Sequence, residues 1–307
     1  MDKEKPASPI TLTASWAAAD LKLYSGCYSL KLLSIHDHVA SFQVTGWPHL
    51  FFIGDLQLAR GPASVGLTPG DFNLFKGLLK QNSTGKIEDS RVIFNSPEAI
   101  MIIDRRGGEE KSFAPVSCFT ENKRELVNVL NYYENSLKQP VLTTPSAVLL
   151  DRPGGEDFYR KAIADNFPAI IKALINQNKQ ELIKYCRNIC GMGHGLTPTG
   201  DDLIHAAFVV ANLSGRKGRE FMSSLRPEVE VLSAQTGLFG RHMIEIGRQG
   251  LTPEPFLKYL EALSRGFKAS EIINDMTSIG STTGFDLAIG MTVTAKECIS
   301  YGLKLDK

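Results

Sequence analysis

The sequence predicts an α+β fold: a β-rich N-terminal half, residues 1–120, followed by a mainly helical C-terminal half, residues 121–307. Two observations lead to this prediction. Up to about residue 118 the apolar residues form short runs rich in β-branched and aromatic side chains, separated by Gly, Pro, Asn or Ser. From about residue 121 they recur every three or four positions, which is the period of an amphipathic helix. Strands followed by helices along one chain are typical of the α+β class.

Five segments of the N-terminal half have the composition of strands. They are YSLKLLSIH (28–36), VASFQVT (39–45), HLFFIG (49–54), RVIFN (91–95) and AIMIID (99–104). The segment DRRGGEEK at 104–111 contains Gly107 and Gly108, and glycine tolerates positive φ. We therefore predict a hairpin turn between two strands at these glycines.

The first helix of the C-terminal half is predicted from the spacing of five apolar residues after residue 121. These are Leu126, Val129, Leu130, Tyr133 and Leu137, which share one helical face. Further helices are expected near 156–165, 168–178, 179–190, 201–213, 228–248, 253–265 and 285–301. Pro168 is expected to restart a helix, because proline is favoured in the first turn. Residues 139–155 are expected to form a connection with some extended character.

Composition excludes several classes of partner. The chain has 34 basic and 33 acidic residues and a net charge of +1, which gives no electrostatic surface for nucleic acid or an anionic membrane. The longest apolar run, AAFVVANL at 206–213, is too short to span a bilayer. The opening MDKEKPASP lacks the apolar core of a signal peptide, so we expect a cytoplasmic protein.

The five cysteines are odd in number and scattered, which argues against a disulfide framework. Cys186 and Cys190 are four residues apart and precede His194, so a metal site is one interpretation of them. Burial is the better one, because both cysteines share a helical stripe with Leu182, Ile183 and Ile189.

The tetrapeptide GLTP occurs three times, at Gly66–Pro69, Gly195–Pro198 and Gly250–Pro253. In the first and third copies Thr68 and Thr252 are expected to cap helices that begin at the following proline. A threonine side chain accepts a hydrogen bond from a free helical N–H, and proline loses nothing in the first turn. The tetrapeptide alone therefore indicates only a helix start.

The middle copy differs in its surroundings. Four glycines, Gly191, Gly193, Gly195 and Gly200, fall within ten residues, and Thr197 and Thr199 add hydroxyl groups. Such a loop can bring several backbone N–H groups to one point before a helix, where N–H groups and helix dipole both favour a phosphate or carboxylate. The spacing fits neither a P-loop nor a dinucleotide-binding fingerprint.

A second segment repeats this pattern. STTGFDLAIG at 281–290 aligns without gaps on TPTGDDLIHA at 197–206. The alignment matches Thr199 with Thr283, Gly200 with Gly284 and Asp202 with Asp286, and it places Thr282 opposite Pro198. Two interpretations stay open: two independent helix caps, or two helix starts that face one cavity and hold one anionic ligand.

The acids Asp201, Asp202 and Asp286 then need an explanation, because two like charges about 4 Å apart repel by ~4 kcal/mol at an effective dielectric constant near 20. An anion beside them requires a cation such as Mg²⁺, a protonated acid, or a ligand that also presents N–H donors. A ligand with a carboxylate at one end and an amide at the other meets the last condition.

Other polar residues are secondary candidates. His194 lies within the glycine loop and is the best-placed acid or base. His205 follows Asp201 by four residues, which is the spacing of a helical pair. Arg241 is a candidate clamp for a carboxylate. One further helical stripe contains Leu232, Gln235, Phe239, His242 and Ile246, where the two polar residues either line a cavity or lie in a hydrogen-bonded core.

The two motifs together resemble the AllH-type subunit of oxamate carbamoyltransferase. GHGLTPTGDDLIHA at 193–206 is similar to the first family motif, and IGSTTGFDLAIGM at 279–291 is similar to the second. LARGPASVGL at 58–67 is similar to a further segment of that family.

The resemblance implies a role in allantoin or purine breakdown, where the enzyme transfers a carbamoyl group between oxalurate and phosphate to give oxamate and carbamoyl phosphate. It also implies a multi-subunit complex with an FdrA-like subunit and a third protein. In this hypothesis Asp202 and Asp286 orient the amide, and His194 transfers a proton. Two alternatives stay open: a non-catalytic scaffold subunit, and an amide hydrolase that uses Asp201, Asp202 and His205 around Mg²⁺ or Zn²⁺.

Overall fold

The computed structural model describes residues 9–19, 28–46, 49–55, 60–81, 83–88, 90–115, 123–138, 144–150 and 157–301. The chain divides into two compact units, Met1–Phe113 and Ala114–Lys307. The described strands lie in the first unit and all but one of the described α-helices lie in the second, so the predicted α+β fold is confirmed. Cys27, Cys118, residues 1–8, 58–59, 139–143 and 151–156 of the segments discussed above lie outside the described residues.

The described strands form one curled sheet. They are β1 (Ile10–Thr13), β2 (Trp16–Ala18), β3 (Tyr28–Ile35), β4 (Val39–Val44), β5 (Leu50–Gly54), β6 (Ser64–Gly66), β7 (Thr84–Glu88), β8 (Arg91–Asn95), β9 (Ile100–Asp104) and β10 (Glu109–Lys111). Their order in the sheet is β1-β9-β8-β7-β3-β4-β5-β6-β2-β10. The five predicted strands are confirmed as β3, β4, β5, β8 and β9, whereas β1, β2, β6 and β7 were not predicted.

The predicted hairpin at Gly107 and Gly108 is wrong. Strand β9 pairs in parallel with β1, and β10 pairs in parallel with β2, so the chain on either side of the two glycines follows residues 10–18 instead of folding back. Neither glycine has positive φ. They are required for close approach instead, because a Cβ added at Gly108 would lie 2.6 Å from the carbonyl oxygen of Ala14.

Aromatic rings fill the core of the first unit. Helix α1 (Pro69–Leu78) buries Phe72 and Phe75, and the ring of Phe75 lies 5.1 Å from that of Phe94 on β8. Thr68 caps this helix, as predicted, by accepting a hydrogen bond from the backbone N–H of Asp71 at 3.2 Å. The first GLTP copy is therefore a structural helix start.

The described part of the second unit contains ten α-helices and one 3-10 helix. The α-helices are α2 (Lys123–Leu137), α3 (Phe158–Ile175), α4 (Lys179–Ile189), α5 (Thr199–Asn212), α6 (Gly215–Ser224), α7 (Arg226–Ser233), α8 (Leu238–Arg248), α9 (Glu254–Ser264), α10 (Ser270–Thr277) and α11 (Thr283–Ser300), and the 3-10 helix is Pro145–Leu150. The five apolar residues predicted to share the inner face of α2 are all buried.

Three predictions about the helices are corrected. Helix α3 continues through Pro168, because this proline is exposed while the apolar residues before and after it stay on one buried face. The predicted helix 228–248 is two helices separated by Ala234–Gly237, and Gln235 is exposed rather than inward-facing. The described residues 145–150 of the predicted connection are helical rather than extended.

Helix α5 is the central element of the second unit. All thirteen residues from Thr199 to Ala211 are buried, and the helix packs against α8 and α11. A helix that is buried on every side excludes water from its own polar groups, so the acids in its first turn must find partners within the protein or shift their pKa. No described helix is both long and apolar enough to cross a bilayer.

Candidate functional site

Helices α5 and α11 begin side by side. The hydroxyl groups of Thr197 and Thr283 form a hydrogen bond of 2.6 Å, and the Thr199 hydroxyl donates to Oδ2 of Asp286 at 3.0 Å. Neither helix start has a side-chain cap of its own. The two motifs therefore meet, although 86 residues separate Thr197 from Thr283. The interpretation as two independent side-chain caps is wrong.

The glycines of the Thr-Gly pairs allow each helix start to approach the preceding chain closely. A Cβ at Gly200 would overlap the carbonyl oxygen of Ile189, and a Cβ at Gly284 would overlap that of Met276. These glycines act as spacers in a packed junction, since their φ values are not positive. The shared Thr-Gly-x-Asp pattern is thus a packing requirement as well as a source of polar groups.

Asp286 is fully buried and held by three hydroxyl groups. Thr144 and Ser146 donate to Oδ1, and Thr199 donates to Oδ2. Burial raises the pKa of Asp286 from 3.8 to about 6, although the hydroxyl donors oppose the rise. Thr144 and Ser146 belong to the segment before and at the start of the 3-10 helix, and no sequence pattern had indicated them.

Asp202 is also fully buried, yet neither of its carboxyl oxygens has a hydrogen-bond partner among the described residues. The Thr283 and Thr197 hydroxyls lie close enough to oppose a rise in its pKa, and they share a hydrogen bond with each other. Burial raises the pKa of Asp202 well above its usual value, and the nearby carboxyls of Asp286 and Asp201 add to the rise. Burial and the neighbouring carboxyls therefore both disfavour the charged form of Asp202.

Asp201 has a different environment from its neighbour. It accepts hydrogen bonds from the backbone N–H of Gly191 at 2.7 Å and from the Thr236 hydroxyl at 2.5 Å. Gly240 on α8 packs against this carboxylate so closely that a Cβ there would overlap it. Through these two hydrogen bonds Asp201 connects Gly191, at the start of the glycine-rich loop, with Thr236 between α7 and α8.

The glycine-rich loop, residues 191–198, needs its glycines for backbone geometry. Gly191, Gly193 and Gly195 have φ values of +74°, +125° and +94°, a region that other residues rarely adopt. Within the described residues, the N–H groups of residues 193–197 donate to no acceptor. Those of Gly191 and Gly200 are already used, by Asp201 and by the carbonyl of Met192.

His194 is exposed at the tip of this loop. Its imidazole contacts the ring of Tyr159 edge to face, with 5.3 Å between the ring centroids. Tyr159 lies in the first turn of α3, so this helix also reaches the site. Leu196, the apolar residue of the loop, is 64% exposed.

The predicted pair between His205 and Asp201 is wrong. The Nδ1–H of His205 donates to the carbonyl of Met243 at 2.8 Å, and Nε2 accepts from the Thr252 hydroxyl at 3.1 Å. Burial lowers the pKa of His205 to about 4, so the imidazole is neutral. Thr252 is consequently a partner of His205 and does not cap α9, contrary to the prediction for the third GLTP copy.

Arg241 and His242 lie on α8. Arg241 is half-buried, and no hydrogen bond or ion pair among the described residues joins it to Asp201, Asp202 or Asp286. His242 is buried and Gln235 is exposed, so the two residues do not line one surface. The predicted stripe of residues 232–246 fails at Gln235, because this residue lies in the connection between α7 and α8.

The residues suggested as metal ligands do not fit one ion. Both imidazole nitrogens of His205 are engaged, and Asp201 faces Gly191 and Thr236. Throughout the described ranges no group of three or more His, Cys, Asp or Glu side chains is arranged to hold a metal. Cys186 is buried, as predicted, whereas Cys190 is half-buried with its Sγ 3.5 Å from the carbonyl oxygen of Leu232.

Comparison with known proteins supports the relationship inferred from the motifs. Residues 189–295 match the family model described as oxamate carbamoyltransferase subunit AllH, which confirms the resemblance. This region is roughly a third of the 307-residue chain and contains the glycine-rich loop, helices α5 to α10 and most of α11. No curated protein and no solved structure matched the chain.

Proposed function

We propose that this chain is a subunit of a carbamoyltransferase that acts on oxalurate or oxamate and carbamoyl phosphate, and that a small anionic amide binds where α5 and α11 begin. The family match over residues 189–295 supports the reaction class. The observation that carries the binding site is the carboxyl group of Asp202, which is buried without a partner beneath Thr197 and Thr283.

An unpaired buried polar group is costly, at about 1–3 kcal/mol. Proteins rarely keep such a group unless a ligand or water pairs with it, or the site has a function. An amide N–H of the substrate would satisfy an oxygen of Asp202 once the hydrogen bond between Thr197 and Thr283 opens, because Asp202 is fully buried in the free protein. Burial raises the pKa of Asp202, and this shift weakens the repulsion that its carboxyl group would exert on an anion nearby.

The anionic end of the ligand has donors available at the same place. The amides of residues 193–197 have no acceptor among the described residues, and α5 and α11 direct the positive ends of their dipoles toward their starts. The Thr282 and Thr283 side chains are half-buried at the start of α11 and add hydroxyl groups. An acceptor for an amide, Asp202, and donors for an anion, the loop N–H groups, therefore lie close together. Oxalurate, oxamate and carbamoyl phosphate each have both an amide and an anionic group.

The reaction assigns a task to each group. A phosphate oxygen forms a bond to the carbamoyl carbon of oxalurate, the C–N bond to the oxamate nitrogen breaks, and that nitrogen gains a proton. Asp202 orients the amide, Asp286 holds Thr199 in place, and His194 at the exposed loop tip supplies the proton. Asp201 positions the loop through Gly191.

A partner subunit is part of this proposal. Two large apolar side chains beside the loop are exposed, Phe158 at 71% and Leu196 at 64%. Phe158 contacts Tyr159, which in turn contacts His194, so the apolar surface borders the proposed site. Such a surface fits coverage by a further subunit, for which an FdrA-like protein is our candidate.

The test compares two adjacent substitutions in the complex assembled with its partner subunits. Asp202→Ala removes a group without hydrogen bonds and should lower the rate of carbamoyl phosphate formation by roughly 10²–10³-fold. Asp201→Ala creates a cavity of the same size but also leaves the Gly191 N–H and the Thr236 hydroxyl unpaired. Urea denaturation should therefore find Asp201→Ala less stable than Asp202→Ala by about 1–3 kcal/mol.

Two results would count against the proposal. If Asp202→Ala keeps the wild-type rate per assembled complex, Asp202 does not contact the reacting molecule. If the variant complex assembles poorly while each assembled complex stays fully active, the chain is a scaffold subunit.

A further inference from the structure

The first turn of α3 borders the proposed site from a side that the two motifs do not cover. Tyr159 contacts His194 of the glycine-rich loop, and Nη2 of Arg160 donates to the carbonyl oxygen of Thr144 at 3.5 Å. Thr144 in turn donates through its hydroxyl to Asp286. Two consecutive residues of α3 therefore touch both edges of the site.

The guanidinium of Arg160 is incompletely paired. Its Nη1 is enclosed and has no hydrogen-bond partner among the described residues. The described contacts of Arg160 include no carboxylate, whereas Arg106 pairs with Asp104 and Arg216 pairs with Glu220. An enclosed N–H of a permanent cation is costly to leave unpaired, more so than a neutral group.

We propose that Arg160 binds the anionic oxygens of the substrate through Nη1, and thereby fixes the end of the molecule opposite to the amide that Asp202 accepts. This inference rests on the proposed function.

The chemistry of Arg160 complements that of Asp202. Oxamate, oxalurate and carbamoyl phosphate each have an anionic oxygen group at one end and an amide at the other. A guanidinium and a buried carboxyl oxygen bind these two ends in one orientation only, because the reversed molecule would place its N–H groups against a cation. Arg160 is therefore a residue that determines both specificity and orientation.

The experiment measures KM for each substrate in the assembled complex with Arg160→Gln, Arg160→Lys and Lys161→Gln. Lys161 is exposed on the same helical turn, so Lys161→Gln removes one charge without touching the site. Arg160→Gln should raise KM about 10–100-fold, which corresponds to the loss of one charged hydrogen bond. Arg160→Lys should recover part of this loss, and Lys161→Gln should leave KM unchanged.

The two sources of the anionic group give different results. A rise in KM for oxamate alone identifies the carboxylate as the ligand of Arg160, and a rise for carbamoyl phosphate alone identifies the phosphoryl group. A rise for both means that Arg160 binds whichever anion occupies the site. Each of these results supports the inference.

Other results overturn it, and they separate it from the proposed function. If Asp202→Ala loses activity while Arg160→Gln leaves every KM unchanged, the inference fails and the proposed function stands. If Arg160→Gln lowers the melting temperature and kcat but not affinity, Arg160 only supports Thr144. If Arg160→Gln prevents assembly of the complex, KM is measured in Arg160→Lys instead. A wild-type KM in Arg160→Lys overturns the inference. If neither Asp202 nor Arg160 variants change activity, both proposals fail.

Discussion

Asp201 and Asp202 are neighbours in sequence with opposite surroundings. Consecutive residues of an α-helix point about 100° apart, so Asp201 faces the α7–α8 connection and Asp202 faces the start of α11. Asp201 has two donors and Asp202 has none among the described residues. The pair therefore contains one carboxylate that is hydrogen-bonded within the protein and one that has no partner among the described residues.

Asp286 should make stability depend on pH. Its pKa rises from 3.8 to about 6 on folding, so its contribution is complete below pH 4 and is lost as pH rises to about 6. The loss corresponds to about 3 kcal/mol. Asp286→Asn imitates the protonated acid, since the Thr199 hydroxyl can accept from the new amide.

Urea denaturation between pH 4 and pH 7 checks this expectation. The stability of Asp286→Asn relative to wild type should improve steadily over this range and then level off. A difference that stays constant with pH would show that Asp286 ionises with its ordinary pKa in the folded protein.

Individual site residues were predictable only where the sequence repeats itself. The matched pairs Thr199–Thr283 and Asp202–Asp286 indicated both helix starts. Three further residues were not predicted: Thr144, Ser146 and Arg160. They lie in segments without a motif and reach the site only through tertiary packing. Their signal in the sequence is no stronger than that of any other polar residue.

Two helices, α5 and α11, hold the halves of the site together. They cross where both have small residues: a Cβ added at Gly290 would lie 2.7 Å from Cβ of Ala206 and 3.0 Å from Cδ2 of Leu203. The distance between the two helix axes at this crossing therefore depends on Gly290. Because Asp202 and Asp286 lie one turn or so before the crossing, the same packing sets their separation.

Gly290→Ala should push α5 and α11 apart. Overpacking of this kind costs about 1–3 kcal/mol, of which the better helix propensity of alanine returns up to about 1 kcal/mol. We expect a net loss of stability in urea denaturation together with reduced carbamoyl transfer. Gly77→Ala in α1 is the matched control, because a Cβ added at Gly77 meets nothing within 4 Å. This substitution should stabilise the protein slightly. Equal effects of the two substitutions would show that the crossing tolerates extra volume.

Element boundaries were predictable where a single apolar stripe continued without interruption. Helix α2 fits its predicted face because five apolar residues keep one period. The segment 228–248 has an equally regular stripe, yet Gly237 starts a new helix within it. At Pro168 a new helix was predicted, but α3 continues through this residue. Burial of the flanking apolar residues outweighs the one hydrogen bond that proline cannot make.

At the scale of the whole molecule, every described contact of the proposed site lies in the unit Ala114–Lys307. Residues 114–307 expressed alone should therefore unfold in one cooperative transition and bind carbamoyl phosphate with the affinity of the full chain. Calorimetry measures both properties. Loss of affinity in the isolated unit, with its fold intact by circular dichroism, would assign part of the site to residues 1–113.

The fold class was predictable, because strand-like and helix-like periods occupy different halves of the chain. The topology of the sheet was not. Strands β1, β2 and β6 have only three or four residues, and β2, β6 and β7 have few β-branched residues in a row. Their place depends on pairing with distant strands, which no local pattern encodes.

The parallel pairing of β1 with β9 has a consequence for synthesis of the chain. Ile10 pairs with Met101, so the first strand leaves the ribosome roughly ninety residues before its neighbour exists. At ~5–20 residues per second this takes about 5–20 seconds. Meanwhile the side chain of Leu12 on β1, which is buried in the finished sheet, lacks that neighbour. We therefore expect this apolar side chain to stay exposed in the nascent chain until residue 101 emerges.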